Sequence, residues 1–226
     1  MPHLYGLGPL EGLRGEVSIF GSVPSIARIE RETVVTTAGW DARACFLVWA
    51  QVPAWFERPS AAIPAGLGSI ERDVVALARD AGLDPDRPLP FRVHATAVEA
   101  TLHVLDKRDG LAHNPDRHEQ AKVRRTLARA AVELVGFYSR HHRGIFTPGD
   151  SNVHVHLQTE DGRISGHLET IHLAPGPGSR SPRRAGASKK TRGATPRLRD
   201  PRDPARSPLA VLSTSRARST SCLPSA

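Results

Sequence analysis

The sequence predicts an α+β domain built mainly of antiparallel strands, spanning Met1 to Ala174 and followed by a disordered basic tail from Pro175 to Ala226. Three observations lead there. Short alternating apolar segments recur between clusters of Gly, Pro, Asn and Asp, one stretch alone carries a clear helical period, and every aromatic residue and every histidine lies before Pro175.

Tyr5 to Gly12 is glycine-rich. Gly15 to Phe20 then alternates polar and apolar residues as a half-buried strand does, and Pro24–Glu30 and Thr33–Thr37 read as two more. Ala44 to Val52, ACFLVWAQV, is almost continuously apolar, the pattern of a strand covered on both faces. Prolines at 53, 59 and 64 mark a loop. Ser69 to Ala81 is the helix: Ile70, Val74, Leu77 and Ala81 share a face, Ser69 is placed to cap its start and Gly82 its end. Phe91–Ala95, Glu99–Leu105, Lys122–Leu127 and Ala131–Tyr138 follow as strands, separated by a charged loop through His113 and His118. A basic connection, Ser139 to Gly144, and a turn at Thr147–Asp150 lead into the last hairpin.

That hairpin, Asn152 to Leu173, holds the chemistry. It contains three histidines as H-x-H-x10-H, at His154, His156 and His167. An Asp-Gly pair between alternating segments signals a two-residue turn, here Asp161-Gly162. Counting back from Glu160 opposite Arg163 sets His156 opposite His167, and His154 opposite Glu169. Residues two apart on a strand share a face, and cross-strand partners share it too. Opposed Cβ atoms lie about 4.5–5.5 Å apart, so three imidazoles converge closely enough to bind one metal at roughly 2.0–2.1 Å. Three histidines on Zn2+ leave a fourth position open, the mark of a catalytic site. A polar, histidine-rich solvent face is the alternative reading of the same spacing.

Composition divides the chain. Pro175 to Ala226 holds 12 Lys+Arg against 2 Asp+Glu, a net of +10, which leaves Met1–Ala174 at 8 − 10 = −2. Without aromatic residues the tail cannot bury enough apolar surface to offset its ordering entropy. An out-of-frame translation product would have this composition, and an arm that binds nucleic acid or a membrane surface is the weaker reading of it. Cys45 and Cys222 alone make neither a disulfide framework nor a cysteine zinc site. The opening MPHLYGLGPLEG lacks the basic start and apolar core of a signal peptide, and no apolar run approaches the ~18 residues of a membrane span. A cytoplasmic protein without membrane partners is the expectation, and a homodimer is compatible with it.

Three segments, in order, resemble the α-acetolactate decarboxylase family. Tyr5-Gly6-Leu7-Gly8-Pro9 through Leu13-Arg14-Gly15-Glu16 is similar to its opening G-L-G-T…L-x-G-E. Val135-Gly136-Phe137-Tyr138-Ser139 with Gly144-Ile145 and Pro148-Gly149 is similar to its V-G-F-Y/W-S…G-I-x-x-P-G. His154-Val155-His156 with Gly166-His167 is similar to its H-L-H…G-G-H. The resemblance implies two sheet-rich halves around a zinc ion held by His154, His156 and His167. It also implies conversion of (2S)-2-acetolactate, a small 2-hydroxy-3-keto acid, to acetoin and carbon dioxide, with Glu16 at the zinc as a ligand or proton-transfer group.

Two departures accompany it. The family's catalytic arginine falls on Asp106 in an ungapped match, with Lys107 and Arg108 beside it. The family's second glutamate, near its C-terminus, has no counterpart in the basic tail; the hairpin register offers Glu169 in its place as a catalytic group. His172 falls on the opposite face from His167, His141 and His142 sit in a loop, and His94 and His103 read as strand residues that are either structural or support the ligands from behind. A zinc-dependent hydrolase of a small ester and a non-catalytic metal-binding relative remain as alternatives.

Overall fold

The computed structural model describes residues 2–59, 66–174, 208–212 and 218–221. Two six-stranded antiparallel sheets face each other, in the α+β arrangement expected. The first contains β1 (Leu4–Pro9), β2 (Glu16–Phe20), β3 (Val23–Glu30), β4 (Thr33–Ala38) and β5 (Phe46–Gln51). The second contains β6 (Trp55–Pro59), β7 (Leu89–Leu105), β8 (Lys122–Tyr138), β9 (Val153–Thr159) and β10 (Ser165–Leu173). The helices are α1 (Leu67–Asp80) and the short α2 (Pro115–Gln120).

β1 is the glycine-rich opening. Its glycines let β5 come close: a Cβ on Gly8 would lie 2.2 Å from the Phe46 carbonyl oxygen, so a side chain there would force the strands apart. α1 is capped at Gly66 rather than Ser69, and the Ser69 hydroxyl turns back onto the Gly66 carbonyl at 2.9 Å. Gly82 takes the left-handed conformation (φ 70°) just past the helix end, as its position predicts. Ile70, Val74, Leu77 and Ala78 are the buried face of α1. α2 was not expected, yet Asn114 caps it, accepting from Arg117 N at 2.8 Å, and Pro115 opens it.

The strands expected at 91–95 and 99–105 are one 17-residue strand, β7, and those at 122–127 and 131–138 are likewise one, β8. These two pair along their whole length. β10 pairs with β9 on one side and with β7 on the other, which closes β7, β8, β9 and β10 into a ring. Length and closure together fix the register of every residue on β10.

Two core regions flank β9. Val153, Val155 and Leu157 face the cluster around α1, with Phe91, Leu102 and Leu134. Val135 and Phe137 of β8 pack on the other side against Tyr5, Leu7, Phe20 and Val48 of the first sheet. Since Val135 pairs with His156 and Phe137 with His154, both histidines face this seam between the sheets. Each fully buried Val or Leu contributes about 1.5–3 kcal/mol, and these alternating clusters hold β9 in its register.

Two segments of the tail are strands, β11 (Pro208–Leu212) and β12 (Arg218–Ser221). β11 lies between β6 and β7, and β12 pairs with β5. The disorder expected of the tail concerns chiefly residues that lie outside the described ones. Pro208 to Leu212 is an apolar run within the tail, and the edges of β6 and β7 offer it unpaired backbone groups, as the edge of β5 does for Arg218–Ser221. The rest of the tail, 175–207, 213–217 and 222–226, lies outside the described residues. No helix among the described residues is long and apolar enough to cross a membrane.

Candidate metal centre

The hairpin register is the one expected, reached through a different turn. His156 pairs with His167 and Ser165 with Gln158. The turn is centred on Glu160 and Asp161: Gly162 N bonds the Thr159 carbonyl at 2.8 Å, and Thr159 N bonds the Ile164 carbonyl at 2.9 Å. Glu160 does not pair with Arg163; its N–H bonds the Ala131 carbonyl on β8 at 2.9 Å. Closing the loop at Thr159 opposite Ile164 preserves the expected alignment of the strands.

His154, His156 and His167 converge, with one ring nitrogen from each lying within 4.8 Å of the others. His154 Nε2 and His167 Nδ1 are 3.1 Å apart. The second nitrogens of His154 and His156 are spoken for: His154 Nδ1 donates to the Phe146 carbonyl at 2.9 Å, and His156 Nδ1 lies 2.8 Å from the Ser18 hydroxyl of β2. His156 Nε2 is buried without a hydrogen-bond partner. Orphaned polar atoms of this kind are rare in protein interiors and call for an explanation. His154, His156 and His167 could together hold a metal ion, which would give this nitrogen a partner.

Burial holds all three imidazoles neutral, the state a metal requires. His154 is pushed down to about 4, chiefly by desolvation and only partly offset by the Phe146 carbonyl. His156 and His167 fall well below the usual histidine value, through burial first and then the neighbouring imidazoles.

Glu16 joins them from the first strand pair. It is 1% exposed, its Oε2 lies 3.8 Å from His156 Nε2, and its Oε1 has no hydrogen-bond partner. Burial raises its carboxyl to about 8, against a partial offset from the Leu105 backbone N–H. The sheets are stitched nearby by a second contact, Ser25 Oγ to Ser165 Oγ at 2.9 Å.

Glu169 does not stand opposite His154. Pairing between β9 and β10 ends at His167, and β10 continues against β7 with a bulge: Leu168 pairs with Leu102 and Thr170 with Thr101, leaving Glu169 extra. A bulge re-aims its side chain. The Glu169 carboxylate lies 3.0 Å from His103 Nδ1 and 2.8 Å from Arg124 Nε, with Lys122 Nζ at 3.6 Å. These partners hold it at about 2, the imidazole foremost.

His103, read from the sequence as either structural or a support for the ligands, is therefore a neighbour of the centre. It pairs with His167 across β7 and β10, and the two rings stack at 4.5 Å with an interplanar angle of 21°. The residues on Leu105's far side are committed elsewhere: Asp106 pairs with Arg108 at 2.7 Å, and Lys107 with Asp109 and the Leu111 carbonyl. Lys122 and Arg124 are in turn neutralised by Glu119 and Glu169.

Solved structures with this architecture include acetolactate decarboxylases and a similar protein. The acetolactate decarboxylase of Bacillus subtilis subspecies spizizenii superposes with a TM-score of 0.63 at 12% identity, over 94% of this chain and 74% of that one. The alpha-acetolactate decarboxylase of Bacillus subtilis strain 168 gives 0.57 at 15% identity, over 75% and 73%. A Staphylococcus aureus protein of unknown function, described as similar to alpha-acetolactate decarboxylase, gives 0.57 at 13%, over 75% and 68%. The likeness is one of fold. No protein-family model and no curated protein sequence matches the chain.

Proposed function

We propose that the protein is a zinc-dependent decarboxylase that converts (2S)-2-acetolactate to acetoin and carbon dioxide. The observation that carries this reading is the convergence of His154, His156 and His167 beside the buried Glu16, at the sheet seam of a fold shared with acetolactate decarboxylases. Bound by the three histidines, a zinc ion supplies a Lewis acid for the negative charge that loss of carbon dioxide puts on the substrate's ketone oxygen.

The chain's own groups do the rest. The Phe146 carbonyl and the Ser18 hydroxyl orient His154 and His156 through their outer nitrogens. Phe137, Phe146 and Leu7 belong to one buried apolar cluster at the seam, which would keep that side of the histidines dry. Glu16 serves either as a further ligand or as the group that carries a proton at its carboxyl oxygens. Glu169 is withdrawn from that role by its contacts with His103 and Arg124.

The test is zinc content and acetoin release by the full-length protein, alongside His167→Ala. The expected result is one zinc per chain, acetoin from one enantiomer of racemic acetolactate, and loss of both properties in the variant. Zinc binding with cleavage of a generic ester and no acetoin would favour a metal hydrolase. Absence of zinc from the wild-type protein would end the metal reading.

A further inference from the structure

Two of the three histidines are anchored by hydrogen bonds through the nitrogen that faces away from the centre, and the third is not. His154 holds the Phe146 carbonyl and His156 the Ser18 hydroxyl. His167 turns Nδ1 towards His154 Nε2 at 3.1 Å and makes no other side-chain hydrogen bond among the described residues. A ligand imidazole without an outer partner is free to rotate about its Cβ–Cγ bond, and second-sphere contacts normally prevent this.

What His167 has instead is the face of His103. The rings lie nearly parallel, 4.5 Å apart at 21°, because their backbones are paired across β10 and β7. His103 is 2% exposed, so its ring has little room to turn. Glu169 Oε1 reaches within 3.0 Å of its Nδ1, off the line of a well-aligned hydrogen bond but close enough to fix the ring edge. The bulge at Glu169 makes this possible, and Arg124 at 2.8 Å holds the carboxylate from its other oxygen. A chain of contacts thus runs from Arg124 through Glu169 and His103 to His167.

We infer that His103, braced by Glu169, is the positioning residue of His167, setting by ring stacking the plane in which the third histidine meets the metal. This rests on the zinc reading above and adds to it a role for two residues that touch neither metal nor substrate.

The experiment measures the zinc dissociation constant of the full-length protein by competition with a chromophoric chelator, and the visible absorption of its cobalt(II) form. His103→Ala removes the stack and is expected to weaken zinc binding about tenfold, with altered cobalt bands. His103→Phe keeps a flat ring without nitrogens and restores affinity to within about threefold of wild type, with wild-type bands. Glu169→Ala frees the His103 ring and weakens binding by a smaller factor. Wild-type affinity in His103→Ala would overturn the inference, and so would a His103→Phe variant as weak as His103→Ala. Should His103→Ala not fold, His103→Phe and Glu169→Ala decide: a tight Phe variant with a weakened Glu169→Ala supports the inference, and wild-type affinity in Glu169→Ala overturns the brace. A wild-type protein that takes up no zinc is a different outcome, which removes the metal reading itself.

Discussion

Ser18 Oγ and His156 Nδ1 stand 2.8 Å apart, joining an interior strand of one sheet to the histidine-bearing strand of the other. Both residues are fully buried. The tautomer that donates from Nδ1 to Ser18 leaves the Nε2 lone pair facing Glu16 and the other histidines. Ser18→Ala is therefore expected to act twice. Loss of the buried bond costs about 1–3 kcal/mol of stability, read by denaturant unfolding, and zinc affinity falls about tenfold, read by chelator competition. A stability loss with unchanged zinc affinity would make Ser18 a structural contact only.

The triad was legible in the sequence because a hairpin is local: alternation and a turn signal at Asp161-Gly162 give the partner of His156 even though the turn forms one residue earlier. Glu169 was misplaced because its bulge depends on how β10 meets β7, a strand more than sixty residues away in sequence. His103 is readable as a strand residue that is structural or supports the ligands, and the choice between the two depends on the same pairing. Its type and strand were readable, but not that the strand runs beside His167. β1 escaped notice because its glycines, chosen for close approach to β5, hide the alternation that would have marked it. The face of α1 was readable from its period, with Ala78 in place of Ala81.

Gly166, beside His167, has no room for a side chain. A Cβ there would lie 2.7 Å from the His103 carbonyl oxygen and 2.8 Å from Leu102 Cδ1. Gly166→Ala pushes β10 away from β7, separating the His167–His103 stack. Overpacking of this kind costs about 1–3 kcal/mol. The expected outcome is a lower unfolding midpoint together with weaker zinc binding; a midpoint equal to wild type would show that the two strands part without strain.

β11 covers backbone groups of β7 at Phe91, Arg92 and Val93 and gives β6 its partner. Cutting the chain after Ala174 uncovers both edges, and exposed edges template association. The 1–174 fragment is expected to melt lower than the full chain and to self-associate at concentrations where the full chain does not, measured by thermal unfolding and sedimentation. Equal behaviour of the two would make the tail strands dispensable.

The metal-free protein is expected to be most stable near pH 6.5, because its buried acid and bases pull in opposite directions. The three histidines have folded pKa values depressed from 6.5, His154 to about 4. Between those values the unfolded chain binds protons that the fold excludes, so stability falls as pH drops below 6.5. Glu16 is raised from 4.5 to about 8, so in that window the fold holds a proton that the unfolded chain has released, and stability falls as pH rises. Below pH 6.5 these histidines, joined by His94, His103 and His118, which burial also lowers, outweigh the raised carboxyls of Glu16 and Glu133; above it Glu16, raised to about 8, sets the decline. One pKa unit corresponds to about 1.4 kcal/mol, so Glu16 removes roughly 2 kcal/mol between pH 6.5 and pH 8. Glu16→Gln cannot ionise and should abolish that decline and steepen the fall between pH 6.5 and 4.5, where Glu16 otherwise opposes the histidines. Denaturant unfolding at a series of pH values in the presence of a chelator measures both limbs, and a decline above pH 6.5 that survives in Glu16→Gln would assign it to another group.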